Sequence, residues 1–219
     1  MAWYTPVVKA WQVARSEGPA NFWFKLCSAL GYRRLILFER KVTPPGGELS
    51  LPPGAWLQLL EEAQISDYLR FRPEVRAADI RRRFRAGHLC FVVGSTEHIL
   101  SATWVALRRA DIDYLQWELP LGNNEAYVYD AYTLKDWRGS GLSSTLSAFI
   151  SEQLQRRGIT RSWRAVMPEN SAAMAMQSKL GSRPVWRITS LRLGPWRWLG
   201  RSSPGTNFRP FRAPWPGER

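Results

Sequence analysis

The feature that most constrains the fold is the stretch 127–146, where a β-branched and aromatic segment meets a glycine turn and then a helical repeat. Residues 127–134 suit a strand that is buried on both faces. The turn is Arg138-Gly-Ser-Gly141, and apolar residues then follow at helical spacing. A strand, a glycine turn and a helix start collect unpaired backbone N–H groups at the positive end of a helix dipole. This arrangement binds phosphate.

The two glycines of the turn have separate physical uses. Gly139 and Gly141 let the backbone approach an anion without an intervening Cβ, and they allow positive φ where the turn needs it. Ser143, Ser144 and Thr145 add hydroxyl donors in the first helical turn. Gly-x-Gly alone also fits an ordinary strand-to-helix turn, but the flanking elements here are those that a phosphate loop requires.

Two blocks carry a resemblance to a known family. Arg138-Gly-Ser-Gly-Leu-Ser143 resembles the pyrophosphate loop Arg/Gln-x-x-Gly-x-Gly/Ala of the GNAT superfamily, the acyl-CoA-dependent N-acyltransferases, and departs from it only at Ser143. The block 170–181 is similar to the family's Asn-x-x-Ala…Lys-x-Gly helix, which lies beside the pantetheine arm. The resemblance covers roughly residues 125–194 and leaves the N-terminal third and the last two dozen residues without support.

The resemblance implies an α/β fold with a mixed, mostly antiparallel central sheet whose strands splay apart and are flanked by helices. We expect an N-terminal helical extension over residues 1–34, the acyltransferase domain over 35–194, and a basic aromatic tail over 195–219. Acetyl-CoA or another acyl-CoA is implied as co-substrate, and no metal is expected.

The same resemblance indicates which residues would hold the cofactor. Pyrophosphate is expected over the backbone N–H groups of the loop, with Arg138 as a nearby cation, and the pantetheine amides are expected to pair with a strand edge opened by splay. The expected cofactor-binding residues are Thr133, Leu134, Arg138, Gly139, Ser140, Gly141, Leu142, Ser143 and Asn170.

Direct attack of an amine on a thioester needs a group that takes or orients the amine proton. Asp130 is an acid in an otherwise aromatic strand, and desolvation there would favour its neutral form and suit a general base; a structural carboxylate is an equal alternative. Glu125, acting through a water, is the second candidate. Gln177 stands where the family often has a tyrosine that protonates the leaving thiolate. A thiol with a pKa of about 8.5 needs little such help, and a strand tyrosine such as Tyr132 is a substitute candidate.

The net charge of +13 favours anionic partners such as CoA phosphates, an acidic acyl carrier protein or an anionic membrane. The arginine run at 76–85 is typical of a solvated helix face, so nucleic acid is not expected. Cys27 and Cys90 fit no disulfide or metal pattern and indicate buried thiols in a reducing compartment. A cytoplasmic protein, with peripheral attachment to a membrane as an extension, is the expectation.

Two functions of other classes stay open on the sequence. One is a non-catalytic acyl-CoA sensor, and the other is a basic peripheral binder of lipid or RNA, for which the Trp/Arg tail is suited. The acceptor is an amine of unknown identity.

Hydrophobic periodicity predicts the remaining elements. Predicted helices cover residues 6–30, 53–65, 73–86 and 170–181; predicted strands cover 35–42, 88–95, 98–108, 159–167 and, as the last, 185–193; residues 112–124 are predicted to be a connection.

Overall fold

A computed structural model describes the chain over five ranges: residues 31–43, 51–96, 98–193, 195–203 and 209–211. The predicted helices within 6–30 lie outside these residues. The chain divides into two compact units. The larger, which we call the loop unit, comprises residues 39–111 and 118–164, and the other comprises 1–38, 112–117 and 165–219.

Strands and helices alternate along the described chain. The strands are β1 (Tyr32–Lys41), β2 (Trp56–Leu59), β3 (Leu89–Gly94), β4 (Ile99–Ala106), β5 (Arg109–Ile112), β6 (Trp117–Pro120), β7 (Glu125–Thr133), β8 (Arg161–Val166), β9 (Arg183–Leu193), β10 (Trp196–Ser202) and β11 (Arg209–Phe211). The helices are α1 (Ile65–Phe71), α2 (Ala77–Arg85), α3 (Leu142–Arg156) and α4 (Ser171–Lys179), with 3-10 turns at Glu62–Gln64 and Lys135–Trp137.

In the loop unit the strands are ordered β8-β7-β4-β3-β2. All neighbours pair antiparallel except β7 and β8, which are parallel. Every residue of β4 is buried, as expected for a strand with neighbours on both edges and helices on its faces. The predicted mixed, mostly antiparallel sheet is confirmed.

Helices cover the two faces of this sheet. One apolar cluster joins α3 to the strands and contains Phe91, Val93, Leu100, Val105, Ala126, Val128, Leu142, Leu146, Ile150, Leu154 and Ile159. A second cluster joins α1 and α2 to the strands and contains Leu60, Ile65, Tyr68, Phe71, Ile80, Cys90, Val92, Ile99, Ala102 and Trp104. The apolar side chains predicted for α3 from their helical spacing therefore face the sheet, and Cys90 is a buried free thiol as expected.

The prediction of a helix over residues 53–65 is wrong. Residues Trp56–Leu59 form β2, which pairs with β3, and a 3-10 turn and α1 follow. The Trp56 indole donates to the carbonyl of Ser95 at 2.8 Å and packs so closely on Gly94 that a Cβ there would meet the ring at 2.2 Å. Pairing and packing against the edge of β3 thus override the local helical pattern.

The hairpin of β3 and β4 and the helix ending before Gly87 are confirmed. Gly87 has φ +75°, its N–H donates to the carbonyl of Phe84, and the next N–H, of His88, donates to the carbonyl of Arg83. This is the Schellman pattern of a glycine-terminated helix.

Two further predictions need correction: the connection over residues 112–124 and the last strand over residues 185–193. The predicted connection 112–124 contains β6, which pairs with β5. Strand β9 is not the last, because β10 pairs with its residues 187–193 and β11 pairs with β10, so residues 196–202 are strand within the predicted tail. Trp196 and Trp198 stack on each other and are exposed.

Candidate active site

The loop between β7 and α3 has two glycines in the left-handed region. Gly139 has φ +84° and Gly141, the N-cap of α3, has φ +88°. A Cβ built on either would meet no protein atom within 4 Å. The backbone conformation, and not crowding by the protein, therefore requires glycine at these two positions.

The loop leaves a run of backbone donors unused. The N–H groups of residues 139–143 donate to no acceptor within the part of the chain that the structure describes, while the next two, of Ser144 and Thr145, donate to the carbonyl of Gly141. Apart from the buried Leu142, the residues of this run are exposed. Five N–H groups without an acceptor in the described chain, at the positive end of a 15-residue helix, are an arrangement suited to an anion.

A chain of hydroxyl groups ties the loop to the sheet. The Ser101 and Thr133 hydroxyls are 2.9 Å apart, and the Thr133 and Ser143 hydroxyls are also 2.9 Å apart. Arg138 Nε donates to the carbonyl of Thr133 at 3.3 Å. Ser143, which departs from the Gly/Ala of the family pattern, thus joins the first turn of α3 to the end of β7.

One edge of β7 is open beside this loop. Its parallel register with β8 runs from the pair Glu125 and Arg161 only to the pair Tyr127 and Trp163, whereas its register with β4 continues to Thr133. In the described chain, residues 128–133 therefore lack a strand partner on the β8 side. The backbone groups of this segment that point away from β4 can bond to a ligand with amide groups, although the carbonyl of Thr133 itself accepts from Arg138.

A β-bulge places Asp130 in an unusual conformation. The register with β4 shifts between Ala102 and Trp104, so that one residue of β4 faces two of β7, and Asp130 has φ +48°. Left-handed backbone at a residue other than glycine costs free energy and persists where surrounding contacts hold it.

Two arginines hold the Asp130 carboxylate. Arg83 donates to Oδ2 at 2.5 Å and Arg72 to Oδ1 at 3.4 Å. The guanidinium of Arg72 stacks on Tyr132 at 4.2 Å and that of Arg83 lies 5.3 Å from the Tyr129 ring centroid. The expected aromatic surroundings are present, but neither cation was predicted from the sequence.

Tyr129, next to Asp130, pairs with a histidine. His88 Nδ1 and the Tyr129 hydroxyl are 2.6 Å apart. Burial lowers the pKa of His88 and raises the pKa of Tyr129. Both groups are therefore neutral near pH 7, and this second polar pair near the bulge was not predicted.

The other catalytic candidates lie apart from each other. Glu125, at the start of β7, accepts from the Gly122 N–H at 3.0 Å and from Arg161 at 3.2 Å. Thr133 lies eight positions further along the strand, a distance of about 26 Å in extended backbone, so Glu125 lies at the end of β7 away from the loop of residues 138–143. Tyr132 lies near the loop end, with its ring against Phe71.

The second family block lies in the other unit. Asn170 caps α4 by accepting from the Ala173 N–H at 3.0 Å, as predicted for the helix start. Gln177 is 3% exposed, and its Oε1 accepts no hydrogen bond from the described residues.

None of the helices in the described residues is long and apolar enough to cross a membrane. The same residues contain no cluster of three or more histidine, cysteine or carboxylate groups that could hold a metal ion.

Solved structures share this fold at low sequence identity. A functionally unknown conserved protein from Staphylococcus epidermidis is 12% identical, with a TM-score of 0.52 over 78% of this chain and 67% of that one. A protein described as a GNAT-family acetyltransferase, from Novosphingobium aromaticivorans, is 17% identical, with a TM-score of 0.51 over 73% of this chain and 65% of that one. The aminoglycoside N-acetyltransferase AAC(6')-Iy in complex with CoA is 13% identical, with a TM-score of 0.47 over 57% and 90%.

The sequence itself decides the family. No curated protein sequence matches this chain significantly. The model of the acetyltransferase (GNAT) family, however, matches residues 55–181, which is more than half of the chain and includes the phosphate loop, the bulge and the second block. The chain therefore belongs to the GNAT family of acetyltransferases, the enzymes that use acetyl-CoA to acylate amines.

Proposed function

We propose that this protein is an N-acyltransferase that moves an acyl group from a CoA thioester to an amine acceptor by direct attack. The observation that carries the proposal is the run of five unused N–H groups at residues 139–143, next to the open edge of β7. One end of this surface suits pyrophosphate and the other suits an amide-containing arm, which is the order of groups in CoA.

Each part of CoA has matching donors or acceptors. The pyrophosphate oxygens accept from the N–H groups of the loop, where charge-assisted bonds and the helix dipole act together. Arg138, exposed beside the loop, adds a cation. The pantetheine amides pair with the open edge of β7 that leads to Thr133 and Leu134.

Asp130 is the group that we assign to the amine. Its Oδ2 is engaged by Arg83, whereas Oδ1 has only the long 3.4 Å contact with Arg72. A carboxylate oxygen accepts more than one hydrogen bond, so Oδ1 can accept from the attacking amine, orient its lone pair towards the thioester and take the proton that is lost. Glu125 stays the second candidate base.

The reaction depends less on a proton donor for the leaving thiolate than on a group that takes the amine proton. A thiol with a pKa of about 8.5 leaves as thiolate at neutral pH with little assistance. Tyr132 is our candidate donor, because it is near the loop end of β7, where its ring lies against the Arg72 guanidinium and meets the Phe71 ring edge to face. The net charge of +13 also suits an acidic acyl carrier protein as donor or an anionic membrane as a docking surface.

A non-catalytic acyl-CoA-binding protein is the second candidate. It is favoured by the ion pairs at Asp130 and by the amide of Gln177 at the position where the family often has a tyrosine. Both candidates require CoA binding, and only the first requires turnover.

The test has two parts. Calorimetry with acetyl-CoA measures binding, and mass spectrometry of a mixed panel of amines incubated with acetyl-CoA and the protein detects acylated products. Binding with acylated amine supports the enzyme. Binding with neither amine product nor enzyme-dependent thioester hydrolysis supports the second candidate, and no binding overturns both.

A further inference from the structure

A pair of arginines in the loop unit has no acidic partner among the residues that the structure describes. Arg40 on β1 and Arg164 on β8 both donate to the hydroxyl of Ser147 on α3, at 3.2 Å and 3.3 Å. No carboxylate of the described chain pairs with either of them. Glu39, the acid adjacent to Arg40, pairs instead with Arg161 at 3.0 Å.

The surroundings make such an arrangement costly. The Ser147 side chain is 3% exposed, both arginines are partly buried, and Nε of Arg164 is a buried donor without an acceptor among the described residues. Burial lowers the pKa of Arg40, and burial together with the charge of Arg40 lowers the pKa of Arg164 to about 10. Two desolvated cations that converge on one hydroxyl repel each other, and an anion placed between them would relieve this.

The pair lies at the point where the sheet opens. Arg164 directly follows Trp163, the last residue of β8 in register with β7, where its partner is Tyr127. If the arm of acyl-CoA follows the open edge of β7 away from the loop, its acyl group is the part that reaches the level of Tyr127 and Trp163. The distal end of the acyl group, beyond the thioester, is therefore the part that comes nearest to the arginines.

We propose that Arg40, Arg164 and Ser147 bind a carboxylate, and that this carboxylate is the far end of a dicarboxylic acyl group carried by CoA. The assignment of the source rests on the proposed function; the carboxylate site itself does not. A planar carboxylate matches two guanidinium forks, and the serine hydroxyl supplies a third donor. The alternative source of the same chemistry is a carboxylate on the acceptor.

The first experiment compares two acyl groups of equal length. Calorimetry with succinyl-CoA and butyryl-CoA isolates the terminal carboxylate, and acetyl-CoA reports binding of the common CoA part. We expect wild-type protein to bind succinyl-CoA at least about tenfold more tightly than butyryl-CoA. Arg164→Gln and Arg40→Gln should each reduce this ratio to within about twofold, with acetyl-CoA affinity changed by less than about twofold.

The control is Arg157→Gln, which removes an exposed arginine at the far end of α3 whose contacts are with Gln153 of the same helix. It should keep the full succinyl preference. Thermal melting of each variant without ligand checks folding, and because repulsion is removed, Arg164→Gln should melt no lower than wild type.

The second experiment uses free succinate with saturating acetyl-CoA. Succinate that raises the melting temperature of wild type but not of Arg164→Gln, together with equal binding of succinyl-CoA and butyryl-CoA, would support the carboxylate site and move its source to the acceptor. If the wild type shows no preference for succinyl-CoA and succinate does not change its melting temperature, the proposal is overturned.

A loss of acetyl-CoA affinity in Arg164→Gln that is absent with 3'-dephospho-CoA would also overturn it, since the anion would then be the CoA phosphate. Failure of all CoA ligands to bind contradicts the proposed function alone, because the succinate titration, repeated without acetyl-CoA, still tests the site.

Discussion

Two regions of the loop unit differ in whether their polar groups have partners. One is the phosphate loop, residues 138–143, and the other is the Asp130 cluster, formed by Asp130, Arg72 and Arg83. Within the described chain the N–H groups of residues 139–143 have no acceptor, and all of these residues except the buried Leu142 are exposed. In the Asp130 cluster, Arg83 donates to Oδ2 at 2.5 Å, Arg72 contacts Oδ1 at 3.4 Å, and both cations lie against aromatic rings. Unused donors suit a ligand that is bound and released, whereas the bond to Oδ2 holds the bulge in one geometry and leaves Oδ1 to face the amine.

Because of this difference, we expect the loop and Asp130 to affect different kinetic constants. Groups that contact CoA equally in the ground and transition states set affinity, whereas a group that acts on the amine proton sets the rate of the chemical step. The loop should therefore control acetyl-CoA affinity and Asp130 should control turnover.

Asp130→Asn should lower kcat by about 10²–10⁴, because Asn keeps the shape and cannot take a proton. The KM for acetyl-CoA should change by less than about threefold, since the phosphates bind elsewhere. Steady-state kinetics with an amine found in the panel, or thioester hydrolysis as a surrogate, measure both constants.

A matched control is Asp79→Asn, because Asp79 is also paired with arginines, at 3.0 Å from Arg76 and 3.7 Å from Arg82, but lies on α2. It should leave kcat unchanged. Full turnover of Asp130→Asn with an unaltered pH profile would make Asp130 structural and direct the search to Glu125.

Gly141→Glu, in contrast to Asp130→Asn, should act on affinity. It should weaken acetyl-CoA binding by about 100-fold or more, which is about 2.7 kcal/mol. The substitution forces a side chain into φ +88° and places a negative charge at the anion site. Gly158→Glu is the matched control, since Gly158 also has a positive φ, of +75°, and open space around a built Cβ, but lies beyond the other end of α3. Calorimetry should show the control within about twofold of wild type; equal affinities of all three proteins would remove the loop from the phosphate site.

The loop and the Asp130 cluster also differ in how much of their structure could be predicted from the sequence. The strand, glycine turn and helix around the loop were predicted correctly because they lie within 20 residues of one another and the pattern is local. The partners of Asp130 lie 47 and 58 residues away in sequence, and their contact arises from packing of α1 and α2 on the sheet. Strand β2 was missed for the same reason, since pairing with β3 creates it.

Tyr68→Phe tests the packing behind the Asp130 cluster. The Trp104 indole donates to the Tyr68 hydroxyl at 2.9 Å, and both side chains are 0% exposed. Without that hydroxyl a buried N–H loses its acceptor, which should lower the free energy of unfolding by about 1–3 kcal/mol. Urea denaturation measures this loss, and acetyl-CoA affinity should stay unchanged if the loop is independent of this packing. A parallel loss of affinity would show that the two regions are coupled.

The smallest expected effect is a pH dependence from His88. Its pKa in the folded protein is below the ordinary value of 6.5 because it is partly buried. As pH falls below 6.5 the unfolded chain therefore binds more protons than the folded protein, so the stability due to this residue is complete above 6.5 and is lost in acid. Between pH 7.5 and 5.5 the melting temperature of wild type should fall more than that of His88→Gln. An identical fall in both proteins would contradict this account of His88.

The central claim is that the N–H groups of residues 139–143 bind the CoA pyrophosphate while the edge of β7 binds the arm. Amide resonances in a ¹⁵N-labelled protein test it directly when acetyl-CoA is compared with acetyl-pantetheine, which lacks the phosphates. The account predicts that the amides of 139–143 shift only with acetyl-CoA, and that those of residues on the open edge, 128–133, shift with both ligands. If acetyl-CoA saturates the protein and the amides of 139–143 do not move, the phosphate site is elsewhere and the account is wrong.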